Sequence, residues 1–297
     1  MSPTHARSEV NCEAASWSRF RASGCGPICY AFSVNPPRNA GHLRIVSLAP
    51  SATSILCAIG ARKYLVGVSI WCPDVAPVKD LPQLGDCWHL GSAKDIAKLK
   101  PSLVIGSVPF RAEAIAKLLE QPLNFLAENP RNLADIENNI RLFGGITGRQ
   151  RSAELLVRKM RAAFSAIEKQ RLTAKRKLRV YCEAWPNPRI SSPPWVAELV
   201  SLCGANFVVP AGQKVTDERV AAARPDVIVV AWTATGDRAK AEKLYRVEAW
   251  KDVPAILHKN VFVISDELLN TPGPPLMEGA KRLLEILQRV AAKEGRG

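Results

Sequence analysis

The chain has 297 residues, 47% of them apolar and 23% charged, and a formal net charge of +14. That balance is ordinary for a globular chain, and the length suffices to bury a large core shared between two lobes. No run approaches the roughly 18 apolar residues that a membrane-spanning helix requires, so direct membrane insertion is not expected.

Residues 1–42 mix Ser, Arg, Asn, Pro and Gly without periodicity and read as a disordered extension. They hold no continuous apolar core after a basic start, so no secretory signal is read there. The segment "RASGCG" around Cys25 has the small residues of a lipoprotein cleavage box but not the apolar stretch that should precede it.

From Leu43 the pattern becomes alternating. "LRIVSLAP" is a buried strand, and "SATSILCAIG" is a helix opening on Ser51 or Thr53 and closing at Gly60. "YLVGVS" is the next strand, followed by a Pro-rich loop. "SAKDIAKLK" is a short helix leading into the strand "PSLVIGS", and "AEAIAKLLEQP" with "LNFLAENP" repeats the unit. A long helix follows over 146–177, with Leu155, Leu156, Met160, Phe164 and Ile167 at helical spacing. Then the order restarts: "LRVYCEAW" as strand, "WVAELVSLCG" as helix, "NFVVP" as strand. "DERVAAARPDVIVVAW" matches "AKDIAKLKPSLVIGS" as helix, basic residue plus proline, and buried strand. "NVFVIS" is the last strand, and "PPLMEGAKRLLEILQRVAA" an amphipathic closing helix. The expected fold is α/β, with two Rossmann-like lobes (43–145 and 178–297) of parallel sheet joined by the 146–177 helix. The ligand cleft of such a fold lies between the lobes, at the strand C-terminal ends.

Between Arg149 and Arg179 stand eleven Lys or Arg and only two acids, Glu154 and Glu168, so this stretch carries nine of the fourteen net charges. A basic face on a connecting helix reads as a solvated face, and no zinc-finger, basic-zipper or RNA-recognition pattern accompanies it; no nucleic-acid partner is expected. The eight cysteines are irregularly spaced, and Cys57, Cys182 and Cys203 lie in apolar contexts as free thiols, which leans toward a reducing compartment.

Five of the seven tryptophans, Trp71, Trp88, Trp185, Trp195 and Trp232, fall in loops after strands or leading to the next helix. They come from both halves of the chain and share one topological position, where α/β ligand clefts form. Prolines beside them stiffen these loops. The arrangement describes a preformed aromatic cleft, each tryptophan alternatively capping its own lobe's core.

No nucleophile elbow, phosphate loop, dinucleotide fingerprint or zincin motif is present, so no enzymatic activity and no catalytic cofactor are expected. Asp266 and Glu267 could face the cleft, but adjacent residues on a strand point oppositely. Cys72, Cys87 and His89 could meet as three metal ligands if their loops converge, although fourteen residues separate the two cysteines. His89 alone could serve as an axial ligand to haem iron or corrinoid cobalt.

"RIVSLAPSATSILCAIG", "VGVSIWCPDVAPVKDLPQLGD", "DIAKLKPSLVIGS", the long helix, "RPDVIVVAW" and "NVFVIS" occur in the order seen in one family. From about Arg44 to Leu287 the chain resembles the vitamin B12 and iron–siderophore class of ABC-transporter substrate-binding proteins, nearest the cobalamin-binding branch. The resemblance implies a monomeric, non-catalytic binder of a corrinoid, with ferric siderophore or haem as alternatives, and an ABC permease as partner. It implies ligand contacts from Trp71 and Trp88, from Pro109, Phe110 and Arg111 after "LVIGS", from Trp185, Trp195 and Trp232, and from Asn270 and Thr271. An uncharged aromatic cleft suits a corrinoid, whereas anionic siderophores call for clustered arginines, and only Arg111 and Arg189 offer themselves. Permease docking in the family uses one acid on the outer face of each lobe. Glu218 holds that place in the second lobe, while the first has Lys94 there with Asp95 adjacent. Ser54 also stands where the family commonly has glutamate. The family location is extracytoplasmic; with no signal read in 1–42, a cytoplasmic corrinoid-binding protein uncoupled from transport stays open.

Overall fold

The computed structural model describes residues 43–174 and 176–294. The extension expected over 1–42 lies outside them. The described residues form ten strands and ten α-helices.

The first sheet runs in the order β3-β2-β1-β4-β5, from β1 (Ile45–Ser47), β2 (Leu65–Ser69), β3 (Gln83–Leu84), β4 (Leu103–Ser107) and β5 (Phe125–Glu128). All four pairings are parallel. The order reverses between β1 and β4, and the crevice of a parallel sheet opens beyond the strand ends at such a switch. Helix α1 (Pro50–Ala58) leaves β1 there, with proline at its first turn and Gly60 left-handed (φ +75°) just past its end. Helices α2 (Ala93–Lys98) and α3 (Ala112–Leu119) complete the lobe, α2 being capped by the Ser92 hydroxyl accepting from Asp95 N at 3.2 Å.

The long helix expected over 146–177 is shorter and has a partner. Helix α4 (Leu133–Thr147) ends on left-handed Gly148, and α5 (Gln150–Lys169) packs back against it. The link between sheets is therefore a helical pair, because the left-handed turn at Gly148 reverses the chain between α4 and α5.

The second sheet is mixed. Strands β10 (Val261–Val263), β9 (Val227–Val230) and β6 (Arg179–Pro186) run parallel, with β8 (Asn206–Phe207) beside the start of β6. Strand β7 (Arg189–Ser191) folds back on the end of β6 as an antiparallel hairpin, which puts Trp185 on a ribbon rather than in a crossover loop. Helices α6 (Pro194–Leu202), α7 (Asp217–Ala223), α8 (Pro254–Leu257), α9 (Asp266–Leu269) and α10 (Leu276–Glu294) surround it.

The repeated "basic–Pro" unit has a structural reason. A residue before proline avoids the α region, so the preceding helix must stop there. Lys100 and Arg224 both do so in the left-handed region, at φ 47° and 46°. One residue beyond each proline, Ser102 and Asp226 then hold the starts of β1 and β6. Arg44 N donates to Ser102 Oγ at 2.9 Å, and Arg179 N to Asp226 Oδ2 at 2.8 Å.

Strand alternation sorts the core. Ile45, Ile105, Val180, Cys182, Val227 and Val229 face inward into one cluster that also takes in α1, α4, α5, α6 and α10. Val46, Val104 and Leu118 form a separate outer cluster on the first sheet, and Tyr181, Ile228, Val230 and Trp250 one on the second. Ala153, Leu156, Val157 and Met160 of α5 sit in the shared cluster. Separating the lobes would expose that apolar surface at about 25 cal/mol per Å², which opposes large displacement of one lobe from the other.

Candidate functional site

The loops at the C-terminal ends of the two sheets face one another. A Cβ added at Gly273, in the buried turn before α10, would stand 2.9 Å from Ser54 Oγ on α1. Asp74, after β2, lies close enough to Asp266 and Glu267 of the second lobe to act on both carboxyls.

Trp71 and Trp88 are exposed, at 36% and 46%. Both are organised by Asp86. Its Oδ2 accepts from Trp71 Nε1 at 2.8 Å, and its Oδ1 accepts from the backbone N of Trp88 at 2.8 Å and of His89 at 2.6 Å. The loop beneath is anchored by Cys87, whose thiol is buried under Gly106 and whose carbonyl accepts from Arg111 N at 3.0 Å. Cys87 thus points in while Trp88 and His89 point out. The same bond ties the Trp88 loop to Pro109, Phe110 and Arg111; Phe110 is half-buried edge-on to Phe125, and Arg111 is exposed beside Glu113 at 3.4 Å.

On the second lobe Trp185 is exposed at 42%, its indole N–H donating to the Asn187 carbonyl at 2.8 Å. Trp195 and Trp232 are not open faces: they are 3% and 6% exposed. Trp195 lies in the first turn of α6 rather than in a loop, sits in the shared core and donates to Leu269 O at 2.9 Å. Trp232 lies in the second lobe's outer cluster and donates to Glu183 Oε1 at 2.8 Å. Asn270 spends its amide on Ala231 O at 2.7 Å, so it braces the loop after β9, while Thr271 is half-buried beside it. Of the five strand-end indoles, Trp88 is the one whose N–H has no partner among the described residues.

Beneath Trp232 lies a buried polar knot that sequence reasoning missed. Glu183, with no exposed surface, accepts from Trp232, from Tyr181 Oη at 2.7 Å and from Arg189 Nη1 at 2.9 Å. Arg189 also pairs with Asp217 and stacks over Trp250 at 4.2 Å. It is therefore a structural cation and not a candidate for holding an anionic ligand. Burial pushes the Glu183 carboxyl up, opposed by the Arg189 guanidinium.

The three-ligand metal reading of Cys72, Cys87 and His89 is overturned by placement. Cys72 is buried in the inner cluster, taking a hydrogen bond from Thr53 Oγ1 at 3.0 Å, and Cys87 in the outer one, so the sheet lies between them. Among the described residues no group of three His, Cys, Asp or Glu is arranged to hold a metal. The five described cysteines are free thiols.

Asp266 and Glu267 also differ from expectation. They begin α9 instead of continuing a strand, so they do not diverge to opposite faces. Burial raises Asp266, against the N–H groups of Ala234 and Gly236, and facing Asp74 adds to it. Burial raises Glu267 too, with Asp266, Asp74 and Asp237 contributing. Carboxyl groups of the two lobes thus stand near one another, Asp74 from the first beside Asp266 and Glu267 from the second.

The outer acids stand on the equivalent helices. Asp95 is in the first turn of α2, exposed and paired with Lys98 at 2.7 Å; Glu218 is exposed in the first turn of α7.

A family profile described as periplasmic binding protein matches residues 45–268, three quarters of the chain. The chain belongs to the periplasmic binding protein family. It is 27% identical over 264 residues to an uncharacterized ABC transporter substrate-binding lipoprotein, YvrC, of Bacillus subtilis, covering 84% of this chain and 82% of that protein. It is 24% identical over 259 residues to the vitamin B12-binding protein of Vibrio parahaemolyticus, covering 84% and 91%. In structure it superposes on the apo periplasmic haem-binding protein RhuT of Roseiflexus sp. RS-1 with a TM-score of 0.71 at 22% identity, covering 84% of this chain and all of that one. The family binds small ligands for ABC-type uptake and is not catalytic. Among the described residues no helix is long and apolar enough to cross a membrane.

Proposed function

We propose that this protein captures a corrinoid of the cobalamin type between its lobes and delivers it to an ABC permease on the extracytoplasmic side of a membrane. The observation that carries this reading is the exposed indole pair Trp71 and Trp88 at the end of the first sheet, with exposed Trp185 on the second lobe. A corrinoid presents broad apolar faces ringed by amides, and indoles offer large rigid faces with a polar edge. The open Trp88 N–H supplies a donor for a rim carbonyl. Charge points the same way. Asp74, Asp237, Asp266 and Glu267 disfavour a polyanionic ferric chelate, and Arg189 is held by Glu183 and Asp217. Phe110 and Arg111 border the same wall, while Asn270 and Thr271 close it from the second lobe. Trp195 and Trp232 support the site from beneath. Asp95 and Glu218 are the groups proposed to meet the permease.

Titration with cyanocobalamin, following tryptophan fluorescence, tests this. Saturable quenching that disappears in Trp88→Ala is expected. No quenching at concentrations on the order of tens of micromolar would sink the reading. One observation favours a second reading, an iron porphyrin ligated axially: His89 is exposed on the same turn as Trp88. A Soret shift with hemin that is lost in His89→Ala, with no response to cyanocobalamin, would select it.

A further inference from the structure

Trp71 and Trp88 stand on different loops and are both exposed. Exposed aromatic rings on loops ordinarily sample several rotamers, and ordering them on binding weakens affinity. Here one carboxylate holds three N–H donors from both loops: the Trp71 indole and the Trp88 and His89 backbone amides. The turn is closed further by Asp86 N donating to His89 O at 3.0 Å, and a Cβ at Gly85 would collide with that same carbonyl. The strand-end tryptophans thereby divide into two kinds. Trp71, Trp185, Trp195 and Trp232 each have the indole N–H committed. Trp88 is held only through its backbone, its ring and N–H remaining open.

We infer that Asp86 is the positioning residue of the binding wall, locking the Trp71 ring in place and setting the Trp88–His89 backbone so that the Trp88 ring alone adapts to the ligand. This rests on the proposal that the cleft takes a large planar ligand. The chemistry specifies a carboxylate. Three donors converge on two acceptor oxygens, each bond strengthened by the negative charge. An asparagine at this place has one acceptor oxygen. Turned to the two backbone amides, it points its own N–H₂ at the Trp71 N–H, donor against donor. Asp86→Asn should therefore free the Trp71 ring while keeping the turn, and Asp86→Ala should free both.

The test uses the full chain labelled with 5-fluorotryptophan, with each ¹⁹F resonance assigned by Trp→Phe substitution. In Asp86→Asn the Trp71 resonance should shift and broaden, those of Trp195, Trp232 and Trp250 staying put. This readout needs no ligand. A Trp71 resonance unchanged in both Asp86→Asn and Asp86→Ala would overturn the inference whether or not the cleft binds a corrinoid. In binding, with cyanocobalamin and hemin as probes, Asp86→Asn and Trp71→Phe should each weaken affinity about 5- to 30-fold. The Asp86→Asn/Trp71→Phe double variant should be no more than about twofold weaker than either single one, since both break the same bond. Multiplicative losses, or a lowered Tm with wild-type affinity, would reduce Asp86 to a purely structural loop residue. Wild-type protein that binds neither probe would count against the ligand reading, leaving the ¹⁹F result to decide on Asp86.

Discussion

Glu128 closes β5 at a place where a carboxylate is expensive to keep ionised. It is 3% exposed. Its Oε2 accepts from Ser51 Oγ on α1 at 2.9 Å, and its Oε1 from Asn139 Nδ2 on α4 at 3.1 Å. Both partners are neutral. Burial outweighs these bonds and pushes the carboxyl from 4.5 up to about 7. A carboxyl raised in the folded state holds a proton that the unfolded chain releases. Its contribution to stability is full below about pH 4.5 and is lost as pH rises through 7. At 1.36 kcal/mol per pH unit, the shift corresponds to about 3 kcal/mol once the group is ionised. Glu128→Gln mimics the protonated form: the amide oxygen still accepts from Asn139, and the N–H₂ donates to the Ser51 hydroxyl. The variant should match wild type near pH 4.5 and exceed it by about 3 kcal/mol above pH 7.5, equivalent to a Tm gain of about 6–12 °C. Thermal and urea unfolding across pH 4.5–8.5 read this directly. A difference that is flat with pH, or a Glu128→Gln protein less stable than wild type at pH 8, would refute a raised Glu128 carboxyl.

Trp88→Ala should leave Tm within about 1 °C of wild type while weakening ligand affinity, since its ring is exposed and no core contact is lost. Trp195→Ala should do the opposite, destabilising by about 3–5 kcal/mol through a cavity in the shared core, as read by urea unfolding.

Much of the fold is legible from local chemistry. Buried parallel strands read as short apolar runs, and the paired "basic–Pro–strand" units announce two sheets of like build. Lys100 and Arg224 mark helix ends because the following proline leaves no other choice. The α4–α5 reversal is not legible, since Gly144, Gly145 and Gly148 stand close together and only the left-handed backbone of Gly148 marks which of them turns the chain. The β6–β7 ribbon was missed for a related reason: "WPNPR" reads as a stiff loop, and pairing across it depends on register rather than composition.

Alternation and turn residues act within a few positions of each other, and that local chemistry is enough to gather aromatic residues at the strand ends of two α/β lobes. Which of those aromatics are open is a long-range question. Trp195 and Trp232 sit in the same sequence context as Trp71 and Trp185, yet they are buried by Leu269 and Glu183, 74 and 49 residues away. The same holds for the acids. Asp86 looks like an ordinary loop residue until the strand order sets β3 beside β2 and brings Trp71 onto its carboxylate. Cys72 and Cys87 look like a ligand pair until the sheet is found between them. Local patterning chose the kinds of residue at the cleft, and tertiary packing chose which of them meet a ligand.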